Sequence, residues 1–233
     1  MSASIIAILG MGLSLGFVHA LDADHVMAVS ALSSARRNSR HIFLRSLRYC
    51  GFWALGHGAV LMVAALLLFG LGLGLPVGLQ RFAEQSVGLV LIAIGLLLLR
   101  QLRQEQLSLH RHNHGDVEHT HLVDHRRQAA HASLPGDSRA HFPALVGVLH
   151  GLAGSAPALA LVPVASGMGG GWAVAYVAVF SLSVLLGMLA VGAGLGGLQR
   201  FLANRGTRLL LWFRRFLALS TVGFGAYWFA QAL

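Results

Sequence analysis

Six runs of apolar residues, each long enough to cross a bilayer, constrain this chain more than anything else in it: 4–32, 50–75, 83–101, 142–166, 172–198 and 208–232. About 20 apolar residues match the hydrocarbon core, and lipid offers no partner to an open backbone, so such runs fold as helices. The expected fold class is an all-α integral membrane protein with six transmembrane helices. Composition agrees. Only 11% of the 233 residues are charged, against about 25% in soluble domains.

The arginines orient these runs. Every one of the 17 basic residues is Arg. They fall in three loops, with Arg36, Arg37, Arg40, Arg45 and Arg48 in the first. Arg100, Arg103, Arg111, Arg126, Arg127 and Arg139 flank or occupy the third, and Arg200, Arg205, Arg208, Arg214 and Arg215 the fifth. Only Arg81 lies elsewhere. The positive-inside rule puts the alternate loops in the cytoplasm and both termini outside, for a protein of the bacterial inner membrane. The formal charge of +9 therefore marks contact with lipid headgroups and not nucleic acid. No basic n-region and no clear cleavage site mark a removable signal peptide. Cys50 is the sole cysteine, which excludes an internal disulfide and two-thiol redox chemistry.

The chain divides into three units: a first three-helix repeat over 1–102, a His-rich loop over 103–141 and a second three-helix repeat over 142–233. Gly16-Phe17-Val18-His19-Ala20-Leu21-Asp22 resembles Gly147-Val148-Leu149-His150-Gly151-Leu152-Ala153. An odd number of spans per half turns the halves over, so the expected plan is two inverted repeats. The loop carries His110, His112, His114, His119, His121 and His125 among polar residues. It has little to bury and is expected to be a mobile cytoplasmic segment. Imidazoles there are candidates for auxiliary metal binding, though their spacing dictates no geometry.

The chemistry sits in the first run. His19, Asp22, Asp24 and His25 fall within seven residues of an apolar span. Each intramembrane carboxylate costs about 2.5–3.5 kcal/mol on insertion scales, so two together require a function. Carboxylate oxygen and imidazole nitrogen both ligate divalent transition metals. On a continuous helix His19, Asp22 and His25 share one arc, while Asp24 falls near 140° away, so four ligands converge only if the helix is distorted. His57, between Gly56 and Gly58, is a further candidate ligand from a facing helix. His150 precedes Pro157, where a helix kinks or breaks, and is the weakest candidate. The pairs Gly12/Gly16, Gly147/Gly151 and Gly192/Gly196 read as helix packing.

These residues carry a family resemblance. His19-x4-Asp24-His25 resembles the signature of the nickel/cobalt transporter family, and Leu55-Gly56-His57 resembles the element on its next helix, with Gly58 where the family usually has Ser. The second half lacks the acidic element of the longer members. It looks more like the compact urease-accessory-type nickel permeases, or related exporters with His-rich loops. The resemblance implies a non-enzymatic permease for Ni2+ or Co2+, with His19, Asp22, Asp24, His25 and His57 forming its filter. It implies no bound cofactor, the ion being cargo, and as partners a cytoplasmic nickel chaperone or a urease or hydrogenase maturation system. Uptake is the expected direction, because the membrane potential acts on a divalent ion with about 4.6 kcal/mol per 100 mV. Efflux drawing on the His-rich loop is the alternative. A rival of another class is a haem-binding electron-transfer protein with His19, His57 and His150 as ligands, which leaves both aspartates without a role.

Overall fold

The computed structural model describes residues 2–34, 42–73, 76–107, 112–114, 117–119, 141–153, 167 and 169–232. The helices among them are α1 (Ser2–His19), α2 (Ala23–Ser34), α3 (Ile42–Leu71), α4 (Val77–Leu107), α5 (His141–Leu152), α6 (Gly170–Arg205) and α7 (Thr207–Gln231). A short antiparallel hairpin, β1 (His112–His114) and β2 (Val117–His119), lies between α4 and α5. Among the described residues the protein is thus helical apart from one pair of three-residue strands.

Glycines set both tight connections. Gly72 turns left-handed at φ 69°, and its N–H bonds back to the Leu68 carbonyl, which ends α3 and returns the chain into α4. Gly206, at φ 149°, separates α6 from α7, its N–H bonding back to the Leu202 carbonyl. A positive φ costs a residue with a Cβ, so these reversals fall where Gly stands.

Four helices are long and apolar enough to span a membrane: α3, α4, α6 and α7, through Phe43–Leu71, Val77–Gln104, Gly170–Arg205 and Thr207–Gln231. A fifth candidate is the pair α1 and α2, bent by 52°. The expectation of six spans is met only to this extent. The run 142–166 has only α5 as a described helix, and its 12 residues reach about 18 Å, against a core of about 30 Å. The run 4–32 is likewise two helices rather than one. This remains a multi-pass membrane protein.

Helix directions are read from which residues meet. Gly192 and Gly196 of α6 face Cys50 and Phe43 of α3, while Gly58 of α3 faces Ser181 of α6, so the two run antiparallel. Gly88 of α4 faces Phe229 of α7, and Gly95 faces Val222, again antiparallel. α1 runs parallel to α6, with Gly12 on Tyr176 and Gly16 on Phe180. α5 runs parallel to α3, with Gly147 against Trp53 and Gly151 against Val60. A Cβ at Gly147 would run into the Trp53 carbonyl, so the close approach requires Gly there. The small-residue pairs do pack helices, as their spacing predicts. These directions bring Arg45, Arg48, Arg100, Arg103, Arg200, Arg205, Arg208, Arg214 and Arg215 to one end of the bundle and leave Arg81 at the other.

α1 and α2 differ in exposure. α1 turns Ile6, Leu13, Phe17 and Val18 outward, toward lipid. α2 is enclosed, with every residue from Ala28 to Ser34 buried. Its Ala31 and Leu32 pack with Ile94, Leu98 and Leu102 of α4 and Ala218 of α7. The larger core centres on Trp53, Tyr176, Phe180 and Met188.

Candidate metal site at the break between α1 and α2

The break between α1 and α2 organises the site. At its end α1 tightens: the N–H groups of Leu21 and Asp22 bond to carbonyls three residues back, Val18 and His19. A new helix then starts, its first bond running from Val26 N–H to the Asp22 carbonyl at 3.0 Å. Asp22 thereby occupies the N-cap position, where Asp is favoured. Asp24 lies in the first turn, where unpaired N–H groups and the helix dipole favour negative charge. The two acids that disfavour a continuous membrane helix are thus placed where a helix start accommodates them.

The break also resolves the angular problem of a continuous helix. His19 ends α1, His25 opens α2, and their rings meet edge to face with centroids 4.6 Å apart. His57 enters from α3, its Nε2 3.4 Å from Nε2 of His19. Ligand atoms of His19, His25 and His57, all three buried, lie within 4.8 Å of one another. Asp22, Asp24 and His25 form a second such group, which shares His25 with the first.

Hydrogen bonds set the tautomers. His19 Nδ1–H donates to the Asp22 carboxylate at 2.7 Å. His25 Nδ1–H donates to the His19 carbonyl at 3.0 Å, and His150 Nδ1–H to the Val146 carbonyl at 2.8 Å. With Nδ1 protonated, each of these rings presents a lone pair at Nε2, the arrangement that outer bonds impose on metal-ligating histidines. Nitrogens bound to one ion at about 2.0–2.1 Å sit about 3.0 Å apart at a right angle and about 3.4 Å apart at a tetrahedral angle. The His19–His57 separation falls at the upper end of that range.

His150 belongs to the same cluster. Its ring centroid is 5.5 Å from that of His25, and its buried Nε2 has no hydrogen-bond partner among the described residues. The internal likeness of sequence pairs His150 with His19, but the contact it makes is with His25. Nδ1 of His57 is also buried without a partner among them. An unpaired polar atom at such depth costs about 1–3 kcal/mol, and a cation bound at a lone pair offsets that cost.

Trp53 is the residue that sequence reasoning missed. Its ring stacks on His57 with centroids 5.0 Å apart and 25° between planes. It also meets His25 at 4.6 Å and His150 at 5.4 Å. A tryptophan in an apolar helix reads as core. The available signal was its spacing, one turn before His57 on the same face of α3. Phe180 of α6 closes the other side, 5.4 Å from His19.

Of the loop histidines, His112, His114 and His119 lie in the hairpin, where His112 pairs with His119. His110, His121 and His125 lie outside the described residues, as does Pro157.

A curated protein matches the chain across most of its length. Urease accessory protein UreH of Bacillus sp. (strain TB-90) is 27% identical over 190 residues, 80% of this chain and 75% of that protein. The chain is UreH-like. The match agrees with the resemblance of the second half of the chain to the urease-accessory-type permeases. No protein-family model matches the chain, and no solved structure does.

Proposed function

We propose that this UreH-like chain is a permease that takes up Ni2+, Co2+ or both across the bacterial inner membrane through the His/Asp site. His19, Asp22, Asp24, His25 and His57 form that site, and His150 adds a ligand from α5. The observation that carries the reading is the convergence of ligand atoms of buried His19, His25 and His57 within 4.8 Å of one another, beside two carboxylates, with Nδ1 of His19 and His25 held by outer hydrogen bonds. Two aspartates neutralise a divalent ion where water is scarce. Mixed nitrogen and oxygen donors with open positions suit Ni2+ or Co2+ better than a closed, sulfur-rich zinc site. The relative's name ties it to urease, which supports delivery of the ion to a urease or hydrogenase maturation system, with a cytoplasmic chaperone as the receiving partner. The His-rich loop is an auxiliary holder of metal.

Six spans in two inverted halves remain the architecture we favour. Its support is an exchange of partners: α1 docks in parallel on α6, the middle helix of the other half, and α5 docks in parallel on α3. The gathering of arginines at one end supports a cytoplasmic position for that end and an outward position for both termini. Metal arriving from outside would then meet the site at the end of α1. Efflux uses the same site in reverse and requires a coupling gradient. The haem reading fares worse, because it leaves Asp22 and Asp24, grouped here with His25, without a role.

Direction-resolved uptake of radioactive nickel and cobalt into proteoliposomes tests the reading. Accumulation driven by an inside-negative potential is the expected result, and absence of flux for both ions overturns it. Orientation is checked with Ser39→Cys, Ser133→Cys and Gly170→Cys in a Cys50→Ser background. Only the third is expected to react with an impermeant thiol reagent in intact cells.

A further inference from the structure

α2 carries a row of polar and sulfur-bearing side chains that starts at Asp24 of the His/Asp site and continues beyond it through Met27, Ser30 and Ser34. Asp24, Met27, Ser30 and Ser34 recur every three or four residues and form one stripe along the helix. From Asp24 to Ser34 it runs about 15 Å, toward the arginine-rich end of the bundle. Ser30 and Ser34 are 3% and 0% exposed.

Polar groups from the second half of the chain meet this stripe. Thr221 of α7, fully buried, donates its hydroxyl hydrogen to the Leu217 carbonyl at 2.7 Å, and its oxygen lies 3.9 Å from Met27 Sδ. Gln199 of α6, 2% exposed, donates from Nε2 to Ser34 Oγ at 3.0 Å. Ser46 of α3 lies against Gly192 and Gly196, on the face of α6 that also buries Gln199, and its buried Oγ has no hydrogen-bond partner among the described residues. A hydroxyl, a thioether and a carboxamide are thus strung from the His site to one end of an enclosed helix.

We propose that this stripe is the second half of the ion's route, and that the Gln199–Ser34 hydrogen bond closes it and parts for each ion to pass. The inference rests on the transport reading above. A divalent ion leaving His25 sheds nitrogen ligands and needs oxygen or sulfur donors in their place, since bare apolar surface repels it. The Gln199 amide hydrogen occupies one of the two lone pairs of the Ser34 oxygen, and a cation approaching that oxygen meets the positive amide hydrogen, so the amide swings away for an ion to pass. Interhelical hydrogen bonding alone would join the same two residues, and the experiment separates the roles.

Flux per folded molecule is measured for Gln199→Leu and Gln199→Ala in proteoliposomes, with nickel binding in detergent measured by equilibrium dialysis. The leucine plugs the route: flux is expected to fall about tenfold or more with nickel affinity unchanged, whereas the smaller alanine keeps or raises flux. Wild-type flux in Gln199→Leu, or an equal loss in both variants, overturns the proposal. Where Gln199→Leu does not fold, Ser34→Cys in a Cys50→Ser background decides. Its labelling by a small thiol reagent is expected to slow on adding Ni2+, and labelling indifferent to Ni2+ overturns the proposal. His25→Ala distinguishes the two levels. Flux lost there but intact in Gln199→Leu removes only the stripe, flux intact in both removes the His/Asp site from the route as well, and absence of flux in the unsubstituted protein removes the transport reading itself.

Discussion

α1 and α5 end alike, but the residues after them differ in charge. Each helix carries a histidine in its last turn, His19 and His150. Each lies parallel on a long helix, α1 on α6 with Gly16 at Phe180 and α5 on α3 with Gly147 at Trp53. After His19 come Asp22 and Asp24, which cap and open α2; after His150 the matching positions hold Ala153 and Ser155. The docking surfaces differ in the same sense, since α1 meets Tyr176 and Phe180 while α5 meets Trp53 and His57. The parallel docking is common to both helices, while both carboxylates follow α1 alone. On the proposed metal-site reading, concentrating both carboxylates at one helix start lets a single dipole and a single cation offset their cost. A second acidic break would need a second cation.

The comparison is broken most severely at the acids. Asp24→Asn and His25→Ala should each abolish nickel uptake, a loss of about 100-fold or more, with membrane insertion and detergent elution volume intact. Uptake persisting in both would show that the first half holds no obligatory ligand. His150→Ala, the matching change in the second half, is expected to weaken nickel binding by only about tenfold, the scale of a supporting group. Equilibrium dialysis measures this, and a loss equal to that of His25→Ala would make the halves equal contributors. The parallel docking is probed by Gly147→Ala, which sets a methyl group against the Trp53 carbonyl. Overpacking of this kind costs about 1–3 kcal/mol and should lower the thermal midpoint, whereas Gly10→Ala, with open space around it, should leave it unchanged. The smallest effect is expected from replacing residues 108–131 with a Gly/Ser linker. Flux should hold while nickel retention by the purified protein falls, and loss of flux with normal expression would put the loop in the pathway.

Much of this protein was legible without coordinates. Apolar runs of membrane length dictate helices, because lipid cannot satisfy a bare backbone. His19, Asp22, Asp24 and His25 stood out as a candidate site by their cost in that setting. His57 was legible as a partner because glycines flank it. Three matters were decided only in three dimensions. Where the first run breaks depends on Asp22 capping a new helix, which competes with continued helix on local energies too close to read from composition. Trp53 and Phe180 wall the site, yet an aromatic side chain in an apolar helix carries no mark of which neighbour it will face. The bond between Gln199 and Ser34 joins residues 165 positions apart. Sequence periodicity shows which face of each helix is polar, but only the packing of α6 against α2 brings those two faces together.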